Sequence, residues 1–223
     1  MQPEERQQLH TALSQAASQL PLPFSPEVLG KLLDYLALLQ KWNAVYNLTA
    51  VRDPSHMLTQ HLLDCMATVP AFINAQRLLD VGSGGGLPGV VIAIWAQQNA
   101  PAMQVHLIDT VHKKTAFLTQ VKAELGLRNL TIHTGRVEQL EIREKCDVIT
   151  SRAFADLSDF VAWSGHLLAT GGELIALKGQ ASAEELARLP ESWQIMRTTA
   201  VNVPGLNAQR HLVHISRACQ GRD

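Results

Sequence analysis

The chain has only three cysteines in 223 residues, Cys65, Cys146 and Cys219, far apart and with no C-x-x-C pair. An odd, scattered set supports neither a disulfide framework nor a zinc site, and no metal is expected. Long apolar runs are also missing. The longest wholly apolar stretch is "VVIAIWA", 90 to 96, far short of the roughly 20 residues that a membrane-spanning helix needs. The opening "MQPEERQQLH" is polar and lacks the apolar segment of a secretory signal. Together these absences point to a reducing cytoplasm and no membrane partner. Asn47-Leu48-Thr49 matches a glycosylation acceptor, a chance match in such a compartment. Excess charge is lacking as well. Nineteen Lys and Arg against 20 Asp and Glu leave a net charge of −1. A nucleic-acid partner would therefore have to be met by a local basic patch.

What is present is enough apolar material, 46% of residues, for one α/β domain with an extension. Residues 1 to 75 read as a helical extension packed on the core. Ser25 is placed to cap a helix and Pro26 to open it, and Val28, Leu29, Leu32, Leu33, Leu36 and Leu39 then share one face. A second helix is expected from about Ser55 to Thr68. Between them, "NAVYNLTAVRDP" reads as a polar loop anchored by Trp42 and Tyr46.

From residue 76 to 223, short apolar runs alternate with amphipathic segments. Strands are expected at "RLLDVG", "QVHLID", "LTIHTG", "CDVITS" and "GELIALKG", with helices over 88–98, 112–126, 156–169 and 182–189. Such β-α alternation predicts a parallel sheet wound on both faces. Two last runs, "SWQIMRTTAVNV" and "RHLVHISRA", are joined through "PGLNAQ", too short for a crossover helix, so they pair antiparallel. The fold class is α/β, with a seven-stranded, mostly parallel, Rossmann-like sheet, one reversed strand near the end and an N-terminal helical extension.

Five glycines crowd into eight residues of "LLDVGSGGGLPGVV", 78 to 91. Gly84, Gly86 and Gly89 fit the G-x-G-x-x-G turn of dinucleotide binders. Asp80, Gly82, Gly84 and Gly86 fit D-x-G-x-G-x-G, the pattern associated with S-adenosylmethionine. Either frame places a ligand at the carboxyl end of the strands, and Asp109, ending the second strand, suits ribose hydroxyls in both. An ordinary tight turn with no ligand is the bland alternative. The register favours S-adenosylmethionine: a strand ending at Val81 makes Gly82 the first turn residue and gives Asp80 a duty in the turn and toward the ligand's ammonium. In the dinucleotide frame the first glycine would come two residues late. A P-loop is excluded, since no Gly-Lys-Ser/Thr follows.

The fourth strand ends in "ITSRAFADL", 149 to 157. It holds neither an Asn/Asp-Pro-Pro-aromatic motif for exocyclic amines nor a Pro-Cys nucleophile for pyrimidine C5, and Cys146 reads as a core thiol. Arg152 remains, a guanidinium able to fork onto a carboxylate or phosphate. Phe154 beside it could stack on a base or belong to the core. His61 and His211 read as satisfied structural histidines.

These segments, with "KWNAVYNLTAVRDP" (41–54), "HLLD" (61–64), "GRVEQL" (135–140), "ALKGQ" (176–180) and "PGLNAQRHLV" (204–213), resemble the RsmG (GidB) family over nearly the whole chain. The resemblance implies a class I methyltransferase fold and methylation by S-adenosylmethionine of N7 of guanosine 527, in the 530 loop of 16S ribosomal RNA. It implies that Gly82 and Leu87 line the methionine and ribose side of the cofactor, and that Val137 and Glu138 hold the adenine. It places Arg152 beside cofactor and base. Arg152 and Lys178 are cast as binders of O6, a phosphate or the cofactor carboxylate. Departures from the family pattern are Cys65 for serine, Val91 for proline and a longer 96–103 loop. Candidate phosphate contacts are Arg52, Lys113, Lys114, Arg136, Lys178, Arg210 and His211. The near-neutral charge favours a shaped ribosomal particle or precursor over naked RNA, met by a monomer. Two other classes stay open on residues alone: an NAD-dependent oxidoreductase on the same sheet, and a non-catalytic RNA- or ribosome-binding module.

Overall fold

A computed structural model describes residues 1–154, 156–180 and 182–218; Cys219 lies outside them. Helix α1 (Pro3–Ala17) and helix α2 (Pro26–Tyr46) come first. The Ser25 hydroxyl accepts from the Val28 N–H, Pro26 sits in the first turn, and Asn47 ends α2 in the left-handed region at φ 49°. The helix thus runs four residues into the segment expected to be loop. Asn is among the few non-glycine residues that take a left-handed cap readily, and it supplies the stop signal that the expected loop overlooked. The next helical stretch consists of α3 (Pro54–Met57), a π-helical turn Leu58–Leu63 and α4 (Asp64–Met66).

Seven strands follow: β1 (Arg77–Val81), β2 (Gln104–Asp109), β3 (Leu130–Thr134), β4 (Cys146–Ser151), β5 (Leu168–Lys178), β6 (Trp193–Ala200) and β7 (His211–Arg217). Their order is β3-β2-β1-β4-β5-β7-β6. All pairs from β3 to β5 are parallel, and β7 runs antiparallel to both neighbours. The sheet is therefore the expected seven-stranded, mostly parallel one, and the reversed strand is β7. The connecting helices are α5 (Gly89–Asn99), α6 (His112–Leu125), α7 (Leu157–Ser164) and α8 (Ala183–Ala187). Helix α7 ends earlier than the expected residue 169. A short 3-10 turn follows it, and β5 is already paired at Leu168, opposite Cys146.

Two apolar clusters flank the sheet. One joins Leu13 of α1 and Leu32 and Leu36 of α2 to Val91 of α5 and Phe117 of α6. The other packs Phe160 of α7 against Leu79, Ile149 and Ile215. The N-terminal helices thus share the core of the sheet's first face. Among the described residues no helix is long and apolar enough to cross a membrane.

Candidate active site

The strand order changes direction between β1 and β4, and at such a switch point the strands' carboxyl ends open a crevice. Strand β1 stops at Val81, and Gly82, Gly84 and Gly86 take φ of 67°, 58° and 95°. These angles are cheap only for glycine. A Cβ on Gly86 would stand 2.4 Å from Val90 Cγ2 and 2.7 Å from Leu118 Cδ2. Gly89, the last glycine of the dinucleotide frame, has a packing reason of its own. A Cβ there would lie 2.2 Å from Leu107 Cδ2 and 2.8 Å from Asp80 Oδ2. Glycines of both frames are therefore needed physically, and register is what separates them.

Asp80 is fully buried and its Oδ2 accepts from the Gly89 N–H at 2.8 Å, tying β1 to the start of α5. Its Oδ1 has no partner among the described residues. Burial lifts this carboxyl to about 7, although the Gly89 N–H and Arg152 pull it back. Asp109 holds the other side of the turn. Oδ2 accepts from Gly84 N at 2.9 Å and lies 3.4 Å from Lys114 Nζ, while Oδ1 accepts from Val111 N.

Helix α2 supports the turn from behind. The buried Tyr35 hydroxyl donates to the Gly85 carbonyl at 2.6 Å. In the 41–54 motif, Asn43 folds the following loop by accepting from Thr49 N and donating to the Val51 carbonyl. Thr49 Oγ1 then meets His61 Nε2 at 2.8 Å. His61 is thus satisfied at one nitrogen, while Nδ1 has no partner among the described residues, and burial holds its pKa below the ordinary value. Trp42 donates to Gln120 on α6, its ring 5.5 Å from that of Phe117, whereas Tyr46 stays exposed. Only the first of the two expected aromatic anchors packs, half-buried, against the core.

Three cavities meet here. One of about 900 Å³ runs past Gly82, Asp109, Val137 and Glu138, with Phe154 and Trp163 on its wall. A second, about 200 Å³, is lined by Leu39, Thr49, His61, Gly82, Leu87 and Arg152. Gly82 lines both, and a Cβ on it would stand 2.8 Å from Ala153 Cβ. The third, about 370 Å³, is reached past Arg152 and lined by Lys178, Arg210 and His211. Asp80 lines none of the three.

Arg152 is held from the helical extension: its Nη1 lies 3.3 Å from Asp64 Oδ2 and 3.4 Å from the Gln60 carbonyl. Arg210 Nε donates to the other oxygen of Asp64 at 2.7 Å. Asp64 was not among the expected site residues. Its signal was an acid in "HLLD" on a helical face that otherwise buries leucines. Lys178 Nζ lies 2.6 Å from Glu185 Oε1 and donates to the Phe154 carbonyl at 2.9 Å. Phe154 packs on Phe160 and Trp163, with ring centroids at 5.2 and 5.5 Å. Lys114 and Arg136 face the largest cavity; Arg52 is remote, held to Asn47. Cys146 is a core thiol as expected, which burial pushes up to about 12.

Residues 29–213 match the family model described as rRNA small subunit methyltransferase G. The ribosomal RNA small subunit methyltransferase G of Janthinobacterium sp. (strain Marseille) is 61% identical over 213 residues, 96% of this chain and 97% of that protein. The protein of the same name from Herminiimonas arsenicoxydans is 60% identical, over 96% and 98%. Among solved structures, an O-methyltransferase from Bacillus cereus in complex with SAH superposes with a TM-score of 0.58, at 17% identity over 94% of this chain and 100% of that one. The O-methyltransferase TomG from Streptomyces achromogenes, in complex with SAM, gives 0.58 at 14% identity over 97% and 99%. These two share the fold.

Proposed function

The chain belongs to the rRNA small subunit methyltransferase G family and is an S-adenosylmethionine-dependent methyltransferase; from this we propose that it methylates N7 of a guanine, guanosine 527 in the 530 loop, in 16S ribosomal RNA. The observation that carries the reading is Gly82, a bare backbone wall between two cavities, with Arg152 on the far rim of the smaller one. Adenosine fits the larger cavity and the methionine portion the smaller, with Gly82 and Leu87 against it. Val137 and Glu138 are assigned to the adenine, and Asp109 to the ribose hydroxyls. A carboxylate has about four acceptor positions, so the N–H groups of Gly84 and Val111 leave room for them. Asp80, Gly84 and Gly86 act by holding the turn.

S-adenosylmethionine, when bound, supplies an electrophilic methyl group on a sulfonium. Guanine N7 carries an in-plane lone pair and no proton, so the protein needs no general base. The residues' task is placement, which can be worth roughly 7–11 kcal/mol. Arg152 lines both the Gly82 cavity and the basic one, where its fork can take O6, a phosphate or the methionine carboxylate. Lys178, held by Glu185 and the Phe154 carbonyl, positions the 152–154 segment. Phe154 and Trp163 shape the adenosine side.

The substrate is read as a ribosomal particle or precursor, and the enzyme as a cytoplasmic monomer. Cys65 and Cys146 are free and buried, in keeping with a reducing compartment. The test is incubation of 16S rRNA, free and in 30S particles, with protein and S-adenosylmethionine, followed by nucleoside mass spectrometry. One 7-methylguanosine per RNA is expected, with particles preferred. A methyl on another atom, or none, overturns the assignment.

A further inference from the structure

We infer that the cavity between the Gln60–Asp64 turn and the start of β7 receives a backbone phosphate of the target nucleotide, held by Arg152 and Arg210, with Asp64 as the positioning residue that spaces them. This rests on the RNA-methylating reading above and adds a subsite to it.

The first argument is charge. Arg152, Arg210 and Lys178 line the cavity, and among the described residues the carboxylates paired with them are Asp64 and Glu185. Lys178 is balanced by Glu185, so two guanidinium groups share one carboxylate. The excess is a single positive charge, which matches a phosphodiester's single negative one.

The second argument is the donor count. Arg152 uses Nη1 toward Asp64 and the Gln60 carbonyl; Arg210 uses Nε toward Asp64 and Nη1 toward the Gln209 carbonyl. Among the described residues, Nε and Nη2 of Arg152 and Nη2 of Arg210 make no hydrogen bond. A guanidinium carries five N–H donors in a rigid fork suited to phosphate oxygens. Asp64, 4% exposed, comes from the π-helical stretch's end and reaches both arginines through different oxygens. It therefore fixes a fork from β4 against a fork from the approach to β7.

The third argument is position and size. The cavity, about 370 Å³, is larger than a lone inorganic anion requires, and Leu177 and Leu212 give it an apolar side for an attached ribose. It shares Arg152 and His61 with the cavity beside the glycine turn, but Arg210 lines only this one. A carboxylate approaching from the Gly82 side would meet Arg152 and not Arg210.

The test uses the full chain with Arg210→Gln and Arg210→Lys. Binding of 16S rRNA is measured by filter retention across a salt series, S-adenosylhomocysteine binding by calorimetry, and inhibition of methylation by guanosine 5′-monophosphate against guanosine. Arg210→Gln should weaken RNA about tenfold and reduce the log–log salt slope by about 0.7–0.9, the share of one phosphate. S-adenosylhomocysteine affinity should stay within about twofold of the parent's. The nucleotide should inhibit the parent better than the nucleoside, and that advantage should vanish in Arg210→Gln. Arg210→Lys keeps a charge on Asp64 but loses the fork, so a smaller advantage is expected; it carries the test if the glutamine variant melts. An unchanged salt slope, or a loss confined to S-adenosylhomocysteine, overturns the proposal. Because RNA binding is read at equilibrium, the result stands apart from whether N7 is the methylated atom.

Discussion

The Tyr35 hydroxyl donates to the carbonyl of Gly85 at 2.6 Å, linking the second helix of the N-terminal extension to the centre of the glycine turn. Tyr35 is fully buried and Gly85 half-buried. Replacing Tyr35 by Phe keeps the ring but leaves that carbonyl unpaired, which costs about 1–3 kcal/mol. The loss falls on the turn that Gly82 and Gly84 form. Tyr35→Phe should therefore lower the melting temperature and also weaken S-adenosylhomocysteine by up to about tenfold, equivalent to 1.4 kcal/mol. Calorimetry checks the second effect; an unchanged Kd would make the extension a purely structural support.

Gly82 is the most exacting position in the turn. A side chain there must accept φ of 67° and a Cβ 2.8 Å from Ala153 Cβ. The left-handed conformation alone costs roughly 1–2 kcal/mol for a non-glycine residue. Ala153 ends in that Cβ, so relief requires the 152–154 backbone to move. Gly82→Ala should raise the Kd for S-adenosylhomocysteine more than about tenfold, and Gly82→Val should abolish measurable binding. Binding within twofold in the alanine variant would contradict Gly82 as the wall of both cavities.

Asp80 links the turn to pH. Its carboxyl stands at about 7 in the folded protein, against about 3.9 for an unfolded aspartate. The folded state holds the proton more tightly, so the stability gained is complete below about pH 4 and is lost as pH rises through about 7. Asp80→Asn removes this titration while its amide oxygen can still accept from the Gly89 N–H. Melts of both proteins from pH 5 to 8, without cofactor, should show the asparagine variant gaining on the parent as pH rises. A difference independent of pH would sink the argument.

Lys178 and Glu185 form a pair with both side chains about nine-tenths covered. Removing one partner of a buried pair costs about 3–5 kcal/mol, while replacing both by apolar groups can be neutral. Lys178→Met should melt early, and Lys178→Met with Glu185→Leu should recover most of the melting temperature. If Lys178 positions the 152–154 segment through the Phe154 carbonyl, both variants lose kcat and keep the parent's KM for RNA. A raised KM in the double variant would instead put the ammonium on RNA.

The sheet was legible because its strands are short apolar runs separated by helical periods, and the reversed last strand because "PGLNAQ" leaves no space for a crossover. The helix through Tyr46 was less legible: "NAVYN" is polar enough for a loop, and tertiary packing of Trp42 on Phe117 carries the helix to its asparagine stop. The glycine turn could be placed from its register, since Gly82, Gly84 and Gly86 all take positive φ and such angles constrain sequence strongly. Asp64 could not be. Its role depends on Arg152 and Arg210, 88 and 146 positions away, and an acid among the leucines of "HLLD" does not say which cations it holds.

That arrangement decides what loss of Arg152 should do. Asp64 keeps its shorter contact, 2.7 Å to Arg210, when the 3.3 Å contact to Arg152 is removed. The buried carboxylate stays compensated, so Arg152→Ala should cost only a few degrees of melting temperature. Turnover is another matter, because Arg152 lines both the Gly82 cavity and the basic one; a loss of about 100-fold, near 2.7 kcal/mol, is expected in kcat/KM. Arg152→Lys restores charge without the fork and should recover only part of it. Removing both arginines leaves Asp64 buried with neither guanidinium, at about 3–5 kcal/mol, so the double variant should melt well below the sum of the single effects. Additive melting temperatures across that cycle would show that Asp64 does not couple the two arginines.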